Sequence, residues 1–503
     1  MKYLTDLLAR RADLGPQRIA FTSSLTGENT SYAALHERTG RAASLLAALG
    51  VEAGDRVGVL CRNRVEFFEV LFACARVGAI GLPLNWRSPA PELAPLLADA
   101  APKVLFYGIE DAGTAHALSQ PGLQMIGFDL AQDYPAGLAA HAPHAGRERW
   151  PAEDIWYMLY TSGTTGRPKA VIQTYGMAMV NAINIGQAVG LTGQDVTLNF
   201  LPLFHTAGIN LYTLPALIHG ARVVILPGFD AGVMIDMLAA GELTAFFGVP
   251  AVYQLLSLHP RFAEVDLSRV RTWGCGGAPL PDALVHTFAA RGAMVCNGFG
   301  MTETGPTAFL MDPEQAPHRI GSVGKTQILS QCRIVSPEGR PLPPGEVGEL
   351  QLTGPGITPG YWRQPEATAT AFTADGWLRT GDLARADAEG YVYVAGRLKE
   401  MFISGGENVY PAEVENVLAL HPRVLEAAVI GVPDARWGEV GHAFLMARDG
   451  ATLEAEELRA FCKARLAGFK VPTVFHVVAD FPRTAAGKVQ KHLLPRPAPE
   501  GSL

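Results

Sequence analysis

Cysteine is scarce in this chain. The six residues Cys61, Cys74, Cys275, Cys296, Cys332 and Cys462 form no CxxC pair and have no nearby histidine partner. That excludes a zinc ribbon or a disulfide framework and fits a reducing, cytoplasmic setting. Charge is sparse too, at 18% of residues with a net of -7 and both signs interspersed, so there is no basic stripe to hold nucleic acid. No fixed-period repeat is present, and the only biased segment is the Pro-rich tail after residue 494. A long apolar run is also missing. Between Lys169 and Arg222 the one charged residue is Asp195, yet Asn181, Asn184, Gln187, Asn199, His205, Asn210, Pro202 and Pro215 interrupt the stretch. No apolar segment of roughly 18 residues remains to span a bilayer. At the amino end Asp6 and Arg10-Arg11 break any signal-peptide core, while Leu4, Leu7 and Leu8 mark an amphipathic helix.

What is present is apolar mass and alternation. With 503 residues, 48% of them hydrophobic, the chain exceeds one core, so at least two domains are expected. Residues 56–60 read as a strand, 65–77 as a helix and 103–107 as a strand. The pattern returns at 222–226, 230–240 and 245–249. Such alternation predicts an α/β fold with two parallel-type sheets flanked by helices. From 321 to 360 the texture changes to short β segments punctuated by Pro341, Pro343, Pro344, Gly345, Gly348, Gly354 and Gly356, which predicts a small barrel or distorted sheet. After residue 400 a helix at 412–419, strands at 427–432 and 441–446 and a helix at 454–466 predict a small α+β unit.

The segment Tyr160-Thr161-Ser162-Gly163-Thr164-Thr165-Gly166-Arg167-Pro168-Lys169 packs hydroxyls, glycines and one cation into a loop suited to polyphosphate. It is not a Walker loop: the spacing is GxxGxxK, and Ala170 follows the lysine. Four later segments accompany it: Asn297-Gly298-Phe299-Gly300-Met301-Thr302-Glu303, Thr380-Gly381-Asp382, Gly396-Arg397-Leu398-Lys399-Glu400 and Pro482-Arg483-Thr484-Ala485-Ala486-Gly487-Lys488. In order and spacing the five resemble the adenylate-forming superfamily of acyl-CoA synthetases, carrier-linked adenylation domains and luciferases. The resemblance covers nearly the whole chain.

It implies a large N-terminal domain (1–396) binding ATP and the acid, a hinge (397–400) and a mobile C-terminal domain (401–503). It also implies the reaction. A carboxylate attacks the α-phosphorus of ATP to give an acyl-adenylate and pyrophosphate, then a thiol displaces AMP. Thr161, Ser162, Gly163, Thr164, Thr165 and Lys169 would cradle the phosphates, and Glu303 would hold magnesium. Lys488 would be the catalytic lysine. The alternative for Thr302 and Glu303 is a helix-capping box. Asp382 and Arg397 match the ribose and hinge-side contacts, and Lys399 the hinge residue. The adenine slot would be walled by Gly276, Gly277, Ala278 and Pro279 on one side and by Asn297, Gly298, Phe299, Gly300, Met301 and Thr302 on the other. Phe299 stands where relatives have Tyr, so the ring is kept and its hydroxyl lost. Gln173-Thr174 replaces a common Thr-His, and no role passes to it. Trp437, Gly405 and Gly406 match the phosphopantetheine tunnel and Phe469 the segment over the CoA adenine. Val471 and Thr473 lack the basic side chains of some relatives, which leaves free coenzyme A and a carrier-protein thiol both open as acceptors.

For the acid, His205 stands where amino-acid-activating relatives carry Asp, which disfavours an amino acid. His205, Phe247, Gly248, Trp273, Cys275 and Gly298 are expected to line the acyl pocket with no arginine for a second carboxylate. Gly298 reads either as an open floor or as a glycine demanded by a tight turn. The expected partners are therefore an apolar monocarboxylic acid, either a medium- or long-chain fatty acid or an aryl acid, ATP with magnesium and CoA, with a homodimer possible.

Overall fold

The computed structural model describes residues 1–161, 168–278, 280–448, 450–483 and 489–495. A six-stranded sheet runs in the order Lys169–Thr174, Ile155–Thr161, Ile80–Pro83, Arg56–Leu60, Val104–Tyr107, Gln124–Gly127. Every neighbouring pair in it is parallel except the first. A second sheet carries Ala245–Gly248, Thr272–Gly276 and Val295–Met301 in parallel, then turns antiparallel through Gly305–Leu310 and Lys325–Thr326. A third, of four strands, places Ile19–Ser23 beside Arg222–Ile225. The N-terminal domain is thus built of mixed sheets, each parallel run closed by an antiparallel edge.

Burial explains the apolar stretch after Lys169. The helix Tyr175–Val189 turns most of its residues inward, and its buried Asn181 and Asn184 hydrogen-bond the chain around them rather than water. None of the described helices is long and apolar enough to cross a membrane. The first helix, Leu7–Leu14, is capped by Asp6, whose carboxylate accepts from the Leu8 and Ala9 amides. The same carboxylate pairs at 2.7 Å with the buried Arg76, tying the helix to the core.

The Gly/Pro-rich region forms an antiparallel four-stranded sheet, Gln331–Val335, Gly348–Thr353, Leu378–Ala386 and Val392–Arg397, whose ladder is open rather than closed into a barrel. The C-terminal domain has its own five-stranded sheet, with Gly438–Ala447 between Val424–Asp434 and Phe402–Ser404 and with Val474–Val477 added in parallel. Its separate apolar core is packed beneath Pro411–Ala419 and Ala455–Lys463.

Candidate active site

Thr161 and Lys169 stand opposite one another where the antiparallel pair of the first sheet begins, and the Thr161 hydroxyl donates to the Lys169 carbonyl at 3.4 Å. Ser162, Gly163, Thr164 and Thr165 lie outside the described residues. The Lys169 ammonium sits 4.8 Å from the centre of the Tyr361 ring, and the Tyr361 hydroxyl donates to Glu303 Oε1 at 3.0 Å. One phenol therefore joins the cation to the carboxylate. Burial and the Glu303 charge raise its pKa, which keeps it a neutral donor.

Three contacts fix the turn that carries Glu303. Gln173 Nε2 donates to the Thr302 carbonyl at 2.8 Å, the Thr358 amide donates to the Glu303 carbonyl at 2.7 Å, and the Thr304 hydroxyl accepts from the Met301 amide at 2.9 Å. Thr302–Thr304 is a single 3-10 turn that leads straight into a strand, so the sequence expectation of a helix capped by Thr302 is corrected. Gln173, the departure that carried no role, thus orients the turn bearing the acid. Tyr361 and Thr358 were missed because neither lies in a motif. A buried carboxylate beside a lysine offers oxygen donors that would suit a hard divalent cation such as magnesium.

The glycines expected to wall the adenine are close-packed. Gly276 is paired with Gly298, and a side chain on Gly276 would stand 3.0 Å from the Gly298 carbonyl. Gly277 has a φ of +83°, which favours glycine, and Ala278 beside it is exposed. Pro279 is outside the described residues. Asn297 donates to the Ser322 carbonyl at 3.3 Å, and Phe299 lies edge-on to Phe309 at 5.9 Å. Asp382 is buried, faces Arg397 across the ladder and pairs with its Nε at 2.8 Å. Beyond Arg397, residues 397–401 make one helical turn in which the Glu400 and Met401 amides donate to the Arg397 carbonyl. Lys399 is exposed in that turn.

Strand alternation divides the expected acyl-pocket residues. Phe247, Gly274, Gly276 and Gly298 share one face, with the Phe247 ring lying over Gly274 and Gly276. Tyr212 closes on that ring edge-on at 5.8 Å. Trp273 and Cys275 project to the opposite face, where Trp273 packs against Phe246, Tyr253 and Phe288 and donates to the Leu267 carbonyl. A side chain on Gly248 would meet Phe246 on that same far side. These three therefore serve the core, and Gly274 and Tyr212 take their place at the glycine face. Gly298 has no left-handed φ, so the tight-turn reading of this glycine is corrected. His205 precedes the short helix Thr206–Asn210, which packs on Gly305–Leu310.

In the C-terminal domain Gly405 and Gly406, with φ of +60° and +89°, make a turn on which Trp437 rests. A side chain on Gly405 would stand 2.8 Å from the indole, and the Gly405 amide donates to the Trp437 carbonyl at 2.8 Å. Arg436 covers the same ring at 4.9 Å. Phe469 packs on the domain core. Lys488 is outside the described residues.

A cationic platform that the sequence reading did not single out lies at the carboxyl ends of the first sheet. The guanidinium groups of Arg62 and Arg87 each lie 4.9 Å from the Trp86 ring centre, and both side chains are exposed. The strand Ile80–Pro83 that leads to Trp86 and Arg87 lies parallel beside the strand Ile155–Thr161. Beside this platform burial raises the Asp111 carboxyl to about 6, with Arg62 opposing. Because the folded form holds the proton more tightly than the unfolded form, stability is lost as pH rises from about 4 to about 6. Asp111→Asn is therefore expected to raise the melting midpoint above pH 6 and to leave it near the parent value at pH 4. Melting curves of the two proteins across that range decide it, and a difference that did not vary with pH would remove the assignment.

Residues 8–362 match the AMP-binding enzyme family and residues 413–488 the AMP-binding enzyme C-terminal domain, and the chain belongs to that family. It is 41% identical over 485 residues to a feruloyl-CoA synthase of Amycolatopsis sp, covering 96% of each chain. It is 38% identical to an indoleacetate–CoA ligase of Aromatoleum aromaticum, covering 97% of this chain and 96% of the relative. To the long-chain-fatty-acid–CoA ligase FadD13 of Mycobacterium tuberculosis it is 34% identical, with 98% of each covered. Within the family, then, it is an AMP-forming acid–CoA ligase. ATP-bound MatB from Rhodopseudomonas palustris superposes with a TM-score of 0.89 at 33% identity, 98% of each chain covered. The apo form of MatB gives 0.80, again at 33% identity and 98% of each chain. MenE from Bacillus subtilis in complex with ATP and magnesium gives 0.88 at 32% identity, covering 98% of this chain and 99% of that one.

Proposed function

We propose that this ligase activates an apolar monocarboxylic acid, an aryl acid first and a fatty acid second, and transfers the acyl group to coenzyme A. The glycine face under Phe247 carries this reading. Its side chains are the Phe247 and Tyr212 rings, and the residues that make it bring no cation to pair with a second carboxylate. The two more similar relatives named above are an aryl and an indole acid ligase, which supports the aryl choice.

In this reading Lys169 and the hydroxyl-rich loop position the β- and γ-phosphates, Glu303 holds magnesium, and Lys488 neutralises the charge that builds on the α-phosphoryl group and the leaving pyrophosphate. Magnesium bound there supplies further positive charge to the phosphate oxygens. Asp382 accepts from the ribose hydroxyls. The domains then turn about Lys399, and the Trp437 and Gly405-Gly406 face guides the pantetheine thiol to the acyl carbonyl. Arg62 and Arg87, at the carboxyl ends of the first sheet, suit the anionic nucleotide end of CoA and favour it over a carrier protein. Closer likeness to ATP-bound than to apo MatB supports the arrangement here as the adenylating one.

An ATP-to-AMP assay with CoA over aryl, short-chain and long-chain acids tests the reading, with Gly298→Ala run beside the parent. A Cβ on Gly298 would stand 3.0 Å from both Leu310 Cδ1 and the Phe309 carbonyl, so it narrows the face. The variant is expected to lose about 1–3 kcal/mol in kcat/KM for the larger acids and little for short ones. AMP release without dependence on CoA would overturn the acceptor, and an equal loss for all acids would remove Gly298 from the pocket.

A further inference from the structure

The described residues that flank Lys488 in sequence are tied to one another. Arg483 bridges Val489 as an antiparallel pair, and the Gln490 amide donates to the Pro482 carbonyl at 2.7 Å. Arg483 also pairs with Glu426 on the strand Val424–Asp434. Three residues after Lys488 comes Lys491, at the start of a short helix packed on that same strand.

The Lys491 ammonium is shared by two carboxylates, 3.0 Å from Glu400 Oε2 and 2.7 Å from Glu415 Oε1. Glu415 lies on the helix Pro411–Ala419 and also accepts from the Val429 amide at 2.7 Å. Glu400 is the residue directly after Lys399. Burial alone would lower the pKa of the ammonium, but Glu415 and Glu400 outweigh it and hold it charged. Burial raises the pKa of Glu415, with Lys491 opposing, so removing the lysine leaves two carboxylates facing each other with little water between them.

We propose that Lys491 is a positioning residue that locks the exit of the hinge and the base of the Lys488 segment into one rigid lever. A swing at Lys399 then moves Glu400, the helix Pro411–Ala419 and the Lys488 segment as a unit. Without the shared ammonium the first residue past the pivot is loose, rotation is spread over several residues, and Lys488 arrives out of place. This rests on the reading of Lys399 as hinge and Lys488 as catalytic lysine.

The test compares Lys491→Met, Lys491→Arg, Glu400→Gln and Lys488→Ala, all assayed well below their melting midpoints. Adenylation is read as ATP–pyrophosphate exchange, transfer as thioester formed from supplied acyl-adenylate, and looseness of the pivot as the rate of tryptic cleavage after Lys399. Since a displacement of about 1 Å costs up to about a hundredfold, Lys491→Met is expected to lose about ten- to a hundredfold in exchange. Its loss in transfer should be smaller, its cleavage faster, and Lys491→Arg should recover most of the exchange. Glu400→Gln keeps the Lys491–Glu415 pair and should show a weaker form of the same pattern in a protein that folds normally. Parent-like cleavage together with equal losses in both half-reactions would overturn the lever while Lys488→Ala still slowed exchange. If Lys488→Ala left exchange intact, the underlying reading would fall and the lever with it.

Discussion

Replacing Lys488 by alanine is expected to slow adenylation by about a hundredfold or more, about 3 kcal/mol of transition-state stabilisation, while thioester formation from supplied acyl-adenylate is nearly spared. The asymmetry follows from where charge develops. In the first half-reaction negative charge grows on the transferring phosphoryl group and the leaving pyrophosphate, and a positioned ammonium is worth most there. In the second half-reaction a thiolate attacks a carbonyl whose leaving group is AMP, and in the proposed reading the C-terminal domain has by then turned another face to the site. Pyrophosphate exchange and single-turnover transfer, measured separately, read the two effects. A variant that lost both steps equally would show that the lysine supports folding or domain contact rather than chemistry.

Placing proline at Lys399 is expected to do the reverse, cutting transfer by at least about tenfold, or about 1.4 kcal/mol, more than adenylation. Proline fixes φ near the right-handed helical value, which the single turn at 397–401 already uses. Among the described residues the Lys399 amide donates to no backbone carbonyl, so its loss leaves the turn's hydrogen bonds in place. The residue before a proline resists the helical region, so the parent conformation also weakens somewhat, and a melting curve beside the kinetics measures that cost. The swing, which needs different torsions at this position, has no such freedom left. Unchanged steady-state thioester formation would remove Lys399 from the hinge.

Much of this molecule was legible in its sequence, and the division has a physical cause. The helix at 65–77 was read to the residue, and the α/β alternation gave the parallel runs, because both are set by local periodicity. The phosphate loop, Glu303, Asp382 and Lys399 stand out because each sits in a short segment with its own chemistry. Tyr361 and Gln173 do not. They act on the 302–304 turn from 58 and 129 residues away in the chain, and no local pattern records such a contact. Sequence offers Trp273 and Cys275 as pocket lining together with the rest of their strand end, whereas alternate residues of a strand face opposite ways. The antiparallel edges of the sheets were likewise invisible, since pairing direction is decided by neighbours that are distant in sequence.

The contacts of Gln173 with Thr302, of Thr358 with Glu303 and of Tyr361 with both Glu303 and Lys169 have a consequence for how errors spread. They tie the strand bearing the cation to the turn bearing the acid through a third segment, so the two charges cannot drift independently. A displacement of one segment is then transmitted to the others through these contacts. A triphosphate bound there, as proposed, would meet protein charges that are linked to each other through Tyr361.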